Sequence, residues 1–140
     1  MANGKWELRD LYPGAHIRVG FDHFYHHGIY VGNDEVVQFG LPYDICDDSK
    51  EIKVVKSSLQ EFCANKTVFI EVYVFTKKEL KTKLKDEDIV LNAINSIGEG
   101  GYSILSNNCE HFANKCVFGV KKSAQIEEIY EQVSKMLEKC

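Results

Sequence analysis

No stretch of this 140-residue chain approaches the ~20 consecutive apolar residues that a membrane-spanning helix needs. The opening Met1-Ala2-Asn3-Gly4-Lys5 runs straight into Trp6-Glu7-Leu8-Arg9-Asp10, which lacks the apolar centre of a secretory signal. Positive charge is not in excess: 17 Lys and Arg stand against 21 Asp and Glu, a net charge of −4. That balance is not the footprint of a nucleic-acid binder. Cys-x-x-Cys pairs are absent, and the five cysteines (Cys46, Cys63, Cys109, Cys116, Cys140) are odd in number. An odd count without a signal points to reduced thiols and a cytoplasmic setting rather than a disulfide framework. His23, His26, His27 and Cys46 match no familiar metal-ligand spacing, so neither a metal nor a cofactor is expected. The length suits a single domain, residues 1–140, able to bury a core unaided.

What is present centres on Asn107-Asn108-Cys109-Glu110-His111-Phe112. Asn108 is a good N-cap residue, and Phe112, Cys116 and Val117 follow at helical spacing. Cys109 would then stand in the first turn of a helix, among free backbone N–H groups and at the positive end of the dipole. That setting lowers a thiol pKa below the ~8.5 of a free cysteine and favours the nucleophilic thiolate. The same N–H groups suit an oxyanion. A buried core cysteine would fit these residues equally well.

A cysteine nucleophile needs a base, and the base needs an orienting partner. Residues 16–19, 26–31 and 35–39 read as three short strands, with turn signals at Gly20-Phe21-Asp22 and Gly32-Asn33-Asp34. Side chains alternate along a strand, so His26, Gly28 and Tyr30 share one face and His27, Ile29 and Val31 the other. Ile29 and Val31 read as the core set, which would bury His27 and leave His26 toward the site. His111, one turn into the helix, reads as structural.

Elsewhere, residues 41–50 form a polar, turn-rich connection. Residues 51–56 alternate like a strand, and Ser57-Ser58 suits the cap of a short helix reaching Asn65. Residues 68–75 are dense enough in Val, Ile, Tyr and Phe for a central strand. Residues 77–85 read as a lysine-rich link, a solvated face whose attraction to anionic headgroups is blunted by Asp86-Glu87-Asp88. A helix is expected over 86–97, with Ile89, Ala93 and Ile97 on its buried stripe. The Cys109 helix should stop at Gly119. A last helix opens at Ser123, with one apolar stripe from Ile126 to Leu137 suited to core, partner or membrane packing.

His26-His27-Gly28-Ile29-Tyr30-Val31-Gly32 and Asn108-Cys109-Glu110-His111-Phe112, with Leu11-Tyr12-Pro13-Gly14-Ala15 and Tyr102, resemble the lecithin:retinol acyltransferase family. In pattern they are similar to its HRAS-like suppressor phospholipase/acyltransferases, circularly permuted relatives of the NlpC/P60 cysteine hydrolases. The likeness extends over about residues 9–133. It implies an α+β fold: an antiparallel sheet of about five or six strands packed with helices on one side, a papain-like arrangement with its parts permuted. It also implies Cys109 as nucleophile, His26 as base and, where the family usually has a second histidine, Gln38 as the orienting residue. Two positions depart from the pattern. His27 replaces an aromatic residue, and a register slip of one would make it the base; Gln38 carries no charge.

The resemblance further implies a thiol-dependent phospholipid acyl hydrolase or acyltransferase. The donor would be a glycerophospholipid and the acceptor an amine, a lysophospholipid or water, with peripheral membrane contact left open. An NlpC/P60-type cysteine peptidase or amidase, and a non-catalytic interaction protein on the same scaffold, are the alternatives.

Overall fold

Two-residue periodicity dominates the first half of the chain, and it builds the sheet. The computed structural model describes residues 4–22, 24–44, 51–103 and 108–119. Within them, β1 (Lys5–Glu7), β2 (His16–Gly20), β3 (Tyr25–Gly32), β4 (Glu35–Phe39), β5 (Val54–Ser58) and β6 (Ile70–Val74) form one sheet in the order β1-β6-β2-β3-β4-β5. Every pairing is antiparallel. Four helices accompany it: α1 (Leu59–Phe62), α2 (Lys77–Thr82), α3 (Asp86–Asn95) and α4 (Cys109–Phe118). The six strands and the α+β class agree with the sequence reading.

The β3–β4 hairpin sets the register of the centre. Asn33 and Asp34 both take positive φ (53° and 58°), as a two-residue turn matched to strand twist requires. The Asp34 backbone N–H donates to the Tyr30 hydroxyl at 3.1 Å and pins the turn. Gly28 then lies opposite Gln38, and Ile29 opposite Val37.

Alternation sorts the side chains into two cores. Ile29, Val37, Phe39 and Val54 pack under Ile89 and Ala93 of α3 and Phe112, Ala113 and Val117 of α4. On the reverse face Ile17, Val19, Tyr30, Val36 and Val72 pack with Phe62, flanked by Leu11 and Tyr12. The sheet is therefore covered on both faces. The expectation of helices on one side fails because α1, only four residues long, drops a single large ring onto the other side.

Other differences have local causes. β1 was hidden by its charged residues; it is a three-residue edge that pairs Trp6 with Tyr73. That edge leaves β6 second from the margin rather than central. The lysine-rich link contains α2, started by a capping box in which Thr76 and Glu79 satisfy each other's backbone N–H groups. α3 ends at Asn95, short of the expected 97; only Ile89 and Ala93 on it are buried, Ile94 is 42% exposed, and Ile97 beyond its end is 43% exposed. The readings for residues 45–50 and from residue 120 onward lie outside the described residues, as do His23, Cys46 and Cys140.

Gly28 lets the second core close. A Cβ placed there would stand 2.7 Å from Val36 Cγ1 and 2.9 Å from Phe62 Cε1, too close for either to tolerate without moving. Gly28→Ala should therefore destabilise the protein by about 1–3 kcal/mol, the usual cost of overpacking. Urea unfolding followed by circular dichroism would show this as a lower midpoint at unchanged slope.

Candidate active site

The site starts with the cap of α4. The Asn108 side chain accepts from the His111 backbone N–H at 3.0 Å, and His111 Nδ1 accepts from the Asn108 backbone N–H at 3.1 Å. This is a reciprocal capping box with His111 in the place usually held by Glu or Gln. It gives His111 its structural role and makes Cys109 the first helical residue. At the far end Gly119 takes the left-handed conformation (φ 79°) and closes the helix by donating to the Lys115 carbonyl.

β3 meets that helix start where its pairing with β4 has run out. The Tyr30 N–H and C=O turn toward the segment leading into β2, bonding Ala15 and Gly14. By alternation, the N–H and C=O of Tyr25 and His27 turn toward β4. The β3–β4 ladder, however, ends at Gly28 and Gln38. The thiol takes the vacated place: Cys109 Sγ is 4.0 Å from the Tyr25 carbonyl oxygen, and the His27 backbone N–H is directed at the sulfur. The sulfur thus touches the backbone on both sides of His26, at the level of the sheet.

His26 is fully buried, and its partners dictate its tautomer. The Ser57 hydroxyl donates to the Ser58 carbonyl at 3.2 Å, so its lone pair accepts from the Gln38 amide NH₂. Gln38 Oε1 must then face the imidazole, and His26 Nε2–H donates to it at 2.6 Å. A neutral imidazole protonated at Nε2 has a bare lone pair at Nδ1. That Nδ1 is buried and has no hydrogen-bond partner among the described residues. The Phe62 ring, 5.2 Å away between centroids, packs against the imidazole.

His27 has the opposite character. It points to the α4 face, where its Nδ1 lies 2.9 Å from His16 Nε2 and its Nε2 is 3.8 Å from the Glu110 carboxylate. Trp6 meets both rings edge-on at 5.0 and 5.5 Å. Both nitrogens of His27 thus have neighbours, whereas one nitrogen of His26 is open.

Burial sets the charge states. It lowers His26 to about 4, with the Gln38 hydrogen bond and the Gly40 backbone pulling weakly the other way. It takes His16 to about 3 and His27 well below the ordinary imidazole value. Burial also raises Cys109 to about 11; the backbone N–H groups of His27, Glu110 and Cys109 oppose it, and the Glu110 carboxylate adds to it. The expectation of a thiol made acidic by its helix start is therefore overturned: the backbone N–H groups lower its pKa, and desolvation outweighs them. The resting pair is a neutral thiol and a neutral imidazole.

The structure brings His26 and Gln38 into direct contact and sets Cys109 against the strand that carries His26. Sequence reading missed Ser57 as the anchor of Gln38, taking it for a helix cap; Ser58 is the residue that caps α1. The pairing of Ser57 with Val36, diagonal to Gln38, was the available signal. His16 and Glu110 were also missed, since nothing local marks them.

Residues 9–122 match the family model described as lecithin retinol acyltransferase. Lecithin retinol acyltransferase of Mus musculus is 28% identical over a 153-residue alignment that spans 94% of this chain and 64% of the mouse protein. The Homo sapiens enzyme of that name is 25% identical, over 94% of this chain and 65% of its own length. Phospholipase A and acyltransferase 3 of Homo sapiens is 29% identical over 84% of this chain and 76% of that protein. The chain thus spans under two thirds of the length of the lecithin retinol acyltransferases it matches. The family model covers most of the chain in return, and the protein belongs to the lecithin retinol acyltransferase family.

Proposed function

We propose that this chain is a phospholipid acyl hydrolase or acyltransferase working through a thioester on Cys109, with His26 as general base and Gln38 as the residue that orients it. Two observations carry this reading: the buried Nδ1 of His26 has no hydrogen-bond partner among the described residues, and the Cys109 thiol at a helix start lies 4.0 Å from the carbonyl of Tyr25, the residue next to His26. A buried polar atom without a partner costs about 1–3 kcal/mol, and such a site is retained where the group has work to do. The names of the relatives supply the acyl chemistry and the lipid class.

The steps follow from the charge states. An ester carbonyl enters above Sγ. As the S–C bond forms, the thiol proton passes to His26 Nδ1, so no thiolate needs to exist beforehand. The backbone N–H groups at the start of α4 face the carbonyl oxygen as it gains charge. The tetrahedral adduct collapses, the ester C–O bond breaks, and imidazolium returns the proton to the leaving lysophospholipid oxygen. Water, an amine or an alcohol then attacks the thioester with the same histidine as base, which regenerates the thiol. Gln38 cannot neutralise the imidazolium; it holds the ring and its tautomer. Among the described residues no helix is long and apolar enough to cross a membrane.

Three variants test the assignment. Cys109→Ser should lower phospholipid turnover to background with the fold intact. His26→Ala should lower it by ~10²–10⁴-fold, the range for general-base assistance. His27→Phe should keep most turnover but lose about 1–3 kcal/mol of stability, because it strands the His16 nitrogen. Full activity in Cys109→Ser, or the reverse pattern for the two histidines, would refute the roles given.

The pH profile is a second test. Turnover needs neutral His26 and a thiol that still carries its proton, so kcat/KM should hold a plateau between the two values of about 4 and about 11. The acid limb should lie near 4 rather than near the ~6.5 of an exposed imidazole. Stability follows the same sign. Three histidines are neutral when folded and protonate when unfolded, so their contribution to stability is complete above about 6.5 and declines as pH falls toward their folded values. Rates at low pH must be read beside circular dichroism; an acid limb at 6–7 in folded protein would contradict the buried base.

A further inference from the structure

The face of the sheet that carries α4 is only partly covered. Arg18 lies opposite His27 on one side and Glu71 on the other, and residues directly opposite share a face. On that face a cleft of about 520 Å³ opens, lined by Leu8, Tyr25, Val68, Phe69 and Glu71 among others. The volume lies within the ~300–1,000 Å³ range of small-molecule sites.

Its lining is mixed: large apolar side chains stand beside Thr67 and Glu71. Leu8, Tyr25 and Phe69 are 62%, 51% and 79% exposed, three large apolar side chains gathered around one cleft. Glu71 is engaged by Arg18 at 3.0 Å. The Arg18 guanidinium is itself sandwiched, 4.3 Å from the centre of the Trp6 ring and 3.8 Å from that of Tyr25. The ion pair lies beside aromatic surface, with Glu71 lining the cleft.

Tyr25 ties this cleft to the thiol. Its ring lines the cleft, and its carbonyl oxygen is 4.0 Å from Cys109 Sγ. We propose that the cleft takes the acyl chain of the ester attacked by Cys109; this rests on the acyl-transfer reading above. A chain attached to the carbonyl carbon at Sγ crosses Tyr25 and lies between Leu8 and Phe69.

Soluble p-nitrophenyl esters from acetate to dodecanoate, kept below micelle-forming concentrations, test the cleft without a bilayer. Wild-type kcat/KM should rise with chain length, by up to about fourfold for each methylene buried. Phe69→Ala and Leu8→Ser should flatten that rise, lowering dodecanoate cleavage by about tenfold as apolar contact is lost, and leave acetate cleavage unchanged. Variants that keep the wild-type chain-length profile would overturn the proposal. So would variants that lose activity on phosphatidylcholine vesicles alone, which would mark the rim as a bilayer contact. If the wild type cleaves acetate through Cys109 with no gain from longer chains, the cleft fails and the thiol mechanism stands. If no ester of any length is cleaved, both fall.

Discussion

The hydrogen-bond chain from the Ser58 carbonyl through Ser57 and Gln38 to His26 is the constraint on which the site depends. It spans β5, β4 and β3, so it exists only when these strands pair in the observed register. Shifting β4 by one residue would turn Gln38 to the opposite face. Each link has one direction: the serine hydroxyl fixes the amide, the amide fixes the tautomer, and the tautomer leaves a lone pair on Nδ1. In the proposed mechanism an uncharged glutamine suffices, because its task is orientation.

The same burial that orders this chain sets its electrostatics. A charged imidazole or thiolate would be costly here, and burial holds both groups neutral. In the proposed mechanism, proton transfer is therefore coupled to bond formation at sulfur. The helix start still matters: its N–H groups partly offset the desolvation of the thiol, and in the proposed mechanism they would also serve the oxygen that gains charge. Slow alkylation of Cys109 by thiol reagents at neutral pH is consequently compatible with catalysis.

Much of this was legible in the residues. The period-two segments around Ile29 and Val37, the Asn33-Asp34 turn, the Asn108 cap and the Gly119 stop are local signals, and the structure has each of them. Gln38 as the partner of His26 came from the family resemblance, and the β3–β4 hairpin brings the two side chains into contact. What stayed hidden depends on distant partners. β1 is a strand because Tyr73 and its neighbours offer an edge, and Ser57 is an anchor because β5 pairs with β4. Phe62 closes on Gly28 only once α1 has crossed to the reverse face. The acidity of Cys109 was misjudged for the same reason: the helix start is visible in sequence, whereas the packing that desolvates it is tertiary.

The most direct measurement is intact-mass analysis of the protein after brief incubation with a phosphatidylcholine of defined acyl chains, followed by peptide mapping. The account expects one added acyl mass, lost with hydroxylamine and located on Cys109, and no such adduct in His26→Ala over the same time. An adduct on Cys63 or Cys116, or turnover of the lipid with no acylated protein at any time, would contradict it.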